Sequence, residues 1–597
     1  MKHKSNWDVQ ALYKDIHDPQ LEIDQKKYED VINKFSKKWE TDHSYLNDEK
    51  KLKEALEEYN DLLENYIYGG NPGVYMFLQS SLHEDDDEIR AVYGKYVNFL
   101  QVNSNKILFF TNRLSKISKK DQKKYLDSKN LSQYHTFLRR LFDKSKHILT
   151  EPEEKILNLI SKPAYSNWIE MTSSLLSKST GEIIDENGKK VTKTFTEIIN
   201  LMDSLNEETR FSASKAFNKV NDKYLEIAAF ELNSIFETKK VEDELRKYKR
   251  VDEASIVSDD VSLEFVDNLV KSVTEGFEIS QRFYKLKSQI LKKDKLKYSE
   301  RNISIGESQD SYPENESVGL VTKVLGDLDP EFSSFFTEML EEGKVDFAPA
   351  IGKSGGAFCM PSFKKGPIYV LLNHTNKLRD VLVIAHEMGH AIHYKFAKKQ
   401  SGLYYGASLA TAEVASTFME DFVLQELVKE AEDEQKLNII MMKLNDEVST
   451  IFRQIACYNF EKDLHNDFAK KGFLSKEDIG LLFKKNMEAY LGSSIDFESE
   501  NNNWWVYWSH IRRFFYVYSY ASGLLISKAL QHEYKQDKKF IEKVKSFFSA
   551  GESDSPDNIF KSIGIHTNSI DFWKKGVAEI SSHLSEAEFL AKKLGKI

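Results

Sequence analysis

Cysteine is nearly absent: Cys359 and Cys457 are the only two in 597 residues. A pair so far apart defines neither a disulfide framework nor a cysteine-ligated zinc site. No run of about twenty apolar residues occurs, which argues against a membrane-spanning helix. The opening Met-Lys-His-Lys-Ser-Asn-Trp-Asp has no apolar stretch, so no secretory signal is expected. Positive charge is not in excess either. Lys and Arg number 84 against 94 Asp and Glu, a net charge of −10. That balance argues against general nucleic-acid binding and against an anionic membrane surface. No internal repeat and no low-complexity tract stands out. A reducing cytoplasm fits all of this, and nothing here speaks to oligomeric state.

What is present is a folded chain. Hydrophobic residues make up 41% and charged residues 30%. At this length one hydrophobic core does not suffice, and two or more lobes are expected. Apolar residues at three- and four-residue spacing predict amphipathic helices over Leu21–Trp39 and Glu49–Tyr66. Tyr68-Gly-Gly-Asn-Pro-Gly73 predicts a loop. The acidic run Glu84–Glu88 predicts the start of a helix continuing beyond Phe110, since acids favour the positive end of the helix dipole. Thr150-Glu-Pro-Glu153 reads as a capping box. Between 181 and 194 the period changes to two, and Asn187-Gly188 predicts a β-hairpin. We place a boundary there: an N-terminal helical lobe over 1–195 and a second, catalytic helical domain over 196–597. After further helices, Ser299–Tyr312 loses periodicity and reads as loop, and a helix follows over Val318–Leu340. Phe347–Pro361 and Gly366–Asn373 predict two strands, the second a continuous apolar run as in a buried strand. The paired Gly355 and Gly356 mark either a bulge or a place where another backbone approaches. The fold class is therefore mainly α, with a small sheet and one hairpin.

The chemistry sits in Val383-Ile-Ala-His-Glu-Met-Gly-His-Ala-Ile392. On a helix, His386 and His390 share a face one turn apart and can converge on one ion, with Glu387 beside it. That is the pattern a zinc hydrolase needs: two imidazole ligands and a carboxylate to take a proton from a metal-bound water. The alternative is two core histidines satisfied by hydrogen bonds. A third histidine ligand six residues on is excluded, because Phe396 stands there. The third ligand is instead sought on the next helical segment, where Glu413 lies among small and apolar residues. Glu420, two turns further on, is either an acceptor for a ligand imidazole N–H or a plain surface carboxylate. His393 shares this side but suits packing better than ligation. Gly389, costly inside a helix, suggests close packing over the site. Asn373-His-Thr-Asn376 supplies cap residues for the motif helix, expected to start near Lys377.

These stretches resemble the thimet-type oligopeptidases, specifically the oligoendopeptidase F branch. The resemblance extends to Asn6-Trp-Asp-Val-Gln-Ala-Leu-Tyr13, to Gly355-Gly-Ala-Phe-Cys359, and to His510-Ile-Arg-Arg-Phe-Phe-Tyr516-Val-Tyr518-Ser-Tyr520-Ala-Ser-Gly523. It implies a two-lobed helical shell around a deep channel that admits short unstructured peptides. One Zn²⁺ per chain would be held by His386, His390 and Glu413, with Glu387 as general base. Gly355, Gly356 and Ala357 would lie beside the metal helix, where a peptide substrate could add as an extra strand. His510 and Tyr518 would hold the oxyanion, with Tyr516 and Tyr520 as nearby alternatives. Related enzymes often carry a tyrosine shortly after this histidine. Here Arg512 and Arg513 stand instead, and they could bind a substrate carboxylate or form ordinary salt bridges. The expected activity is zinc-dependent endopeptidase action on oligopeptides; the rivals are a zinc carboxypeptidase and a non-catalytic peptide-binding scaffold.

Overall fold

The computed structural model describes residues 3–306 and 311–597, so Met1, Lys2 and part of the expected Ser299–Tyr312 loop lie outside the described residues. The chain is mainly α, 71% helix and 4% strand, as expected. Among the described residues no helix is long and apolar enough to cross a membrane. Both cysteines are free.

The chain divides into two compact units, each discontinuous in sequence. The first comprises Met1–Lys146, Gln309–Lys429 and Leu530–Ile565; the second comprises His147–Ser308, Glu430–Ala529 and His566–Ile597. The end of the hairpin at residue 195, taken from the sequence as a boundary, lies inside the second unit.

In the first unit, helix Pro19–Thr41 starts with a proline in its first turn, and the Asp18 side chain accepts from the Gln20 N–H. Its apolar stripe, Tyr28, Ile32, Phe35 and Trp39, packs with Leu52, Ala55 and Leu56 of helix Glu49–Tyr66 in one core cluster. The expected loop at 68–73 is shorter than predicted, because Pro72 sits in the first turn of a new helix, Asn71–Leu82. Gly73 is needed there: a Cβ would fall 1.7 Å from the Tyr68 carbonyl oxygen. The helix after the acidic run is Asp87–Asn105, capped by Asp86, and the chain breaks before resuming at Leu108–Ser115. The single helix expected over 318–340 is two, Glu314–Leu328 and Pro330–Glu341. Pro330 cannot continue the first helix and opens the second, capped by Asp329.

The second unit carries the hairpin β1 (Thr180–Ile184) and β2 (Lys190–Thr194), paired antiparallel. Only Gly188 of its turn has a positive φ (+74°), so the turn is not the two-residue type with two left-handed positions. The Asp185 carboxylate closes it by accepting from the Asn187 and Lys189 N–H groups. The capping box at Thr150 forms as read. Two short strands, β3 (Leu296–Lys297) and β7 (Ile495–Asp496), pair in parallel.

A three-stranded sheet in the first unit positions the site. β4 (Val345–Asp346) runs parallel to β6 (Tyr369–Leu371), and β5 (Phe358–Met360) runs antiparallel to β6, in the order β4-β6-β5. β6 is central and fully buried, which is why its sequence is a continuous apolar run. β5 is an edge strand. The long first strand expected over 347–361 is reduced to Phe358–Met360, and the residues before it are irregular. Trp7 ties the N-terminal segment to the sheet: its backbone N–H donates to Asp346 (2.9 Å) and its indole N–H to the Val370 carbonyl (2.8 Å).

Candidate metal centre

Helix Leu378–Ala397 packs against β5 and β6 and carries the motif. Its start is fixed differently from the cap expected at 373–376. The Asp380 carboxylate reaches back to accept from the N–H groups of Thr375 and Lys377 and from the Thr375 hydroxyl. Asn373 acts elsewhere. Its amide donates to the Ser354 and Gly356 carbonyls (2.9 and 2.7 Å), bracing the segment that leads into β5.

Val381, Leu382, Ile384, Ala385, Met388, Ala391 and Ile392 are buried, which leaves His386 and His390 together on one face. Their ring centroids lie 5.1 Å apart. Helix Leu409–Glu430 brings Glu413 to them. Glu413 Oε2 is 3.4 Å from His386 Nε2 and 3.8 Å from His390 Nε2. One ligand atom from each of the three lies within 4.8 Å of the others. The two helices touch at Gly389, where a Cβ would fall 2.5 Å from Ser416 Cα and 2.6 Å from the Ala415 carbonyl oxygen. The predicted close packing is therefore backbone against backbone.

Two of the three candidate ligands are held by a neighbour. Glu420 Oε2 lies 3.0 Å from His386 Nδ1, so of the two readings of Glu420 the imidazole acceptor is the one present. The Ser416 hydroxyl donates to Glu413 Oε2 at 3.0 Å. Sequence reasoning missed Ser416, although its place three residues after Glu413 puts it on the same helix face. His393 is buried between Phe547 and Phe548, a packing residue as expected.

Glu387 is buried, and burial pushes its carboxyl up to about 7; the charges of Glu413 and Glu420 add to this. The positive side of His386 and the nearby Cys359 N–H pull the other way. Burial alone would lower His386, but the Glu420 hydrogen bond and the charges of Glu420, Glu387 and Glu413 outweigh it and raise the imidazole to about 9. His390 is pulled down by burial and by His386. Three carboxylates thus crowd two imidazoles. Two imidazole nitrogens and one carboxylate oxygen on convergent faces suit a divalent cation, and the negative surplus is what such a cation offsets.

Gly355 and Gly356 do not form a bulge, because β5 begins only at Phe358. They lead into the edge strand with open space where a Cβ would stand, and Gly356 has φ +78°. Ala357 follows them directly into β5. The Cys359 N–H lies near Glu387, where β5 packs against the motif helix.

His510 and the three tyrosines belong to the second unit. His510 Nδ1 and the Tyr516 hydroxyl are hydrogen-bonded, and the Tyr516 and Tyr520 phenols also interact. Ring centroids of His510 lie 5.5 Å from Tyr516 and 6.0 Å from Tyr520. Tyr518 does not join them. It is wholly buried, and its hydroxyl donates to Asp259 Oδ2 at 2.5 Å, so it has no proton left for an oxyanion. Arg512 is likewise committed, as a buried fork on Glu231 (2.6 and 2.9 Å) that also donates to the Val506 and Trp508 carbonyls. Of its two readings the salt bridge is the one present, while Arg513 is exposed.

A helical chain with His-Glu-x-x-His on one buried helix and a glutamate on the next has the form of a metallopeptidase. A sequence model of peptidase family M3 matches residues 200–579, and one of oligopeptidase F matches residues 113–178. The chain belongs to peptidase family M3, a family of metallo-oligopeptidases. Oligopeptidase PepF of Bacillus subtilis is 27% identical over 476 residues, covering 79% of this chain and 71% of that one. An oligoendopeptidase F homolog of Lactococcus lactis is 24% identical over 606 residues, covering 99% and 98%. Among solved structures, a putative peptidase from Chlamydophila abortus superposes with a TM-score of 0.83 at 23% identity, covering 98% of this chain and 99% of that one. Oligoendopeptidase-F from Enterococcus faecium gives 0.70 at 18% identity, covering 96% and 98%.

Proposed function

We propose that the protein is a zinc-dependent endopeptidase that hydrolyses short, unstructured oligopeptides in the cytoplasm, with one Zn²⁺ held by His386, His390 and Glu413. The observation that carries this reading is the convergence of those three side chains with Glu387 beside them and Glu420 behind His386. A bound Zn²⁺ supplies Lewis acidity toward the scissile carbonyl and makes a water molecule more acidic.

The chain's own groups do the rest. Glu387, raised toward neutrality by burial, accepts the proton of the attacking water and delivers it to the leaving amine. Glu387 stands beside the edge strand β5, near the Cys359 N–H. The peptide lies along that free edge, with Gly355, Gly356 and Ala357 leaving room for its backbone. Main-chain pairing of this kind reads extended shape more than sequence, which suits many short peptides. His510, Tyr516 and Tyr520 form an imidazole and phenol donor cluster within the second unit, of the chemistry that an oxyanion needs. Tyr518 is dropped from that role because its hydroxyl is spent on Asp259.

The test is hydrolysis of a carboxy-amidated, internally quenched peptide by wild type and Glu387→Gln, with bound zinc assayed in both. Cleavage by the wild type, and its loss in a variant that still holds zinc, supports the proposal. Failure on the amidated peptide with cleavage of its free-carboxylate counterpart makes the protein a carboxypeptidase instead.

A further inference from the structure

Residues 507–516 of the second unit have little regular backbone. They hold one short turn, Ser509–Arg512, followed by Phe514 and Phe515 with positive φ. Such a stretch cannot satisfy its carbonyls through a helix ladder, so it needs partners from elsewhere. The Arg512 side chain supplies them. Its Nη2 donates to the Val506 carbonyl (3.0 Å) and its Nη1 to the Trp508 carbonyl (3.1 Å), so the guanidinium folds back past His510. The Arg512 carbonyl in turn accepts from the Tyr165 hydroxyl. His510 therefore sits between two tied points of the backbone, Trp508 and Arg512.

The rest of the guanidinium meets Glu231 on helix Glu207–Arg246: Nε lies 2.6 Å from Oε1 and Nη2 lies 2.9 Å from Oε2. Both residues are buried. Serving a carboxylate and two carbonyls at once takes the planar fork of arginine, which a lysine ammonium cannot reproduce. A buried ion pair adds little net stability, because desolvation offsets most of the attraction, and apolar side chains of similar volume fill such space as well or better. What the pair does supply is direction: it fixes the turn against one long helix.

That turn carries the donor cluster. Trp508, Ile511, Arg512 and Phe515 are buried, whereas His510, Tyr516 and Tyr520 are part-exposed and meet one another. We propose that Glu231 and Arg512 are positioning residues, which hold the His510 imidazole against Tyr516 through the carbonyls of Val506 and Trp508. The catalytic use of that position rests on the reading of His510 and Tyr516 as oxyanion donors.

Arg512→Lys and Tyr165→Phe test this in the full chain, with Arg210→Lys as the control. Arg210 is also buried and paired, with Glu300, but it ties the Ser204 and Leu205 carbonyls instead. One readout is hydrolysis of the quenched peptide. The other is the His510 ring signal in protein labelled with ¹³C-histidine, assigned by His510→Gln. Arg512→Lys should shift that signal and lower kcat by about 10–100-fold at constant KM, with zinc still bound. Tyr165→Phe should do the same to a smaller degree. Arg210→Lys should lower the unfolding temperature and leave both readouts at their wild-type values. An unmoved His510 signal in folded Arg512→Lys makes the pair purely structural and overturns the proposal, as does an equal kcat loss in Arg210→Lys. A shifted signal with unchanged kcat supports the positioning and overturns the donor reading. If the wild type cleaves no peptide, the peptidase reading fails and the His510 signal alone decides the positioning. If Arg512→Lys does not fold, Tyr165→Phe decides by the same two readouts.

Discussion

His386 faces two carboxylates at once: Nε2 lies 3.4 Å from Glu413 and Nδ1 lies 3.0 Å from Glu420. One glutamate stands where a shared ion belongs, and the other fixes the ring that would present to it. Replacing Glu420 by alanine frees the imidazole to rotate and removes an acceptor that makes Nε2 a better ligand. Glu420→Ala is expected to lower metal affinity by about 10–100-fold while leaving the fold in place. Competition with a chromophoric chelator, beside a circular-dichroism spectrum, measures both. An unchanged affinity would reduce Glu420 to a surface carboxylate.

Gly389 sets how closely the two ligand-bearing helices approach. A methyl group there meets Ser416 Cα and the Ala415 carbonyl, both backbone, so no side-chain rotation relieves it. Gly389→Ala gains helix propensity of about 1 kcal/mol. The overpacking costs about 1–3 kcal/mol and displaces Glu413 from the histidines. Net destabilisation with metal loss is expected, read by urea unfolding and metal content. A variant that is more stable and fully loaded would mean that the helices can part without consequence.

The proximity of His386 and His390 was legible because α-helical geometry alone places residues four apart on one face. Glu413 was read from its small and apolar flanks on the next helix, and Glu420 from lying two turns further on. The donor cluster was not legible to the same degree. Tyr516, Tyr518 and Tyr520 alternate evenly in sequence, yet the helix begins at Tyr518, so Tyr516 stands outside its periodicity. Before it, Phe514 and Phe515 both adopt left-handed backbone (φ 49° and 54°), a conformation no sequence pattern of phenylalanines announces. It is held from distant positions: Glu461 accepts from the Phe515 N–H (2.9 Å), and the Ser255 hydroxyl donates to the Phe515 carbonyl (3.2 Å). The sheet was half legible. The apolar run gave the buried strand β6, but Asn373, not strand pairing, shapes the approach to β5.

The Glu461 carboxyl carries a pH signature. Burial pushes it up to about 8; the Phe515 N–H and Lys239 pull it down, Asp252 pushes it up, and His465 stands 4.0 Å away, itself held neutral by burial. Unfolded, the same group titrates near 4.3. Between those values the folded chain binds one more proton than the unfolded chain, so stability falls as pH rises. The slope is about 1.4 kcal/mol per pH unit, and it flattens above about 8. Glu461→Gln, which keeps the acceptor for Phe515 without the charge, is expected to abolish that slope and to be more stable than wild type at pH 7. Urea unfolding across this range measures it, and a variant with the wild-type slope would place the titration elsewhere.

The tyrosines separate structure from chemistry. Tyr518→Phe removes the hydroxyl, itself on a wholly buried residue, that now donates to the half-buried Asp259 carboxylate. That loss is expected to cost about 1–3 kcal/mol of stability and to leave kcat near the wild-type value. Tyr516→Phe removes a partly exposed hydroxyl paired with His510, where little packing is lost. If Tyr516 donates to the oxyanion, kcat/KM falls by about 10²–10³-fold, with the loss in kcat and not in KM, because such a donor acts on charge that exists only in the transition state. Tyr520→Phe, which loosens Tyr516, should give a smaller fall of the same kind. Steady-state kinetics on the quenched peptide beside thermal unfolding distinguishes the cases. A large kcat defect in Tyr518→Phe with normal stability would return the donor role to Tyr518 and require its hydroxyl to leave Asp259 during turnover.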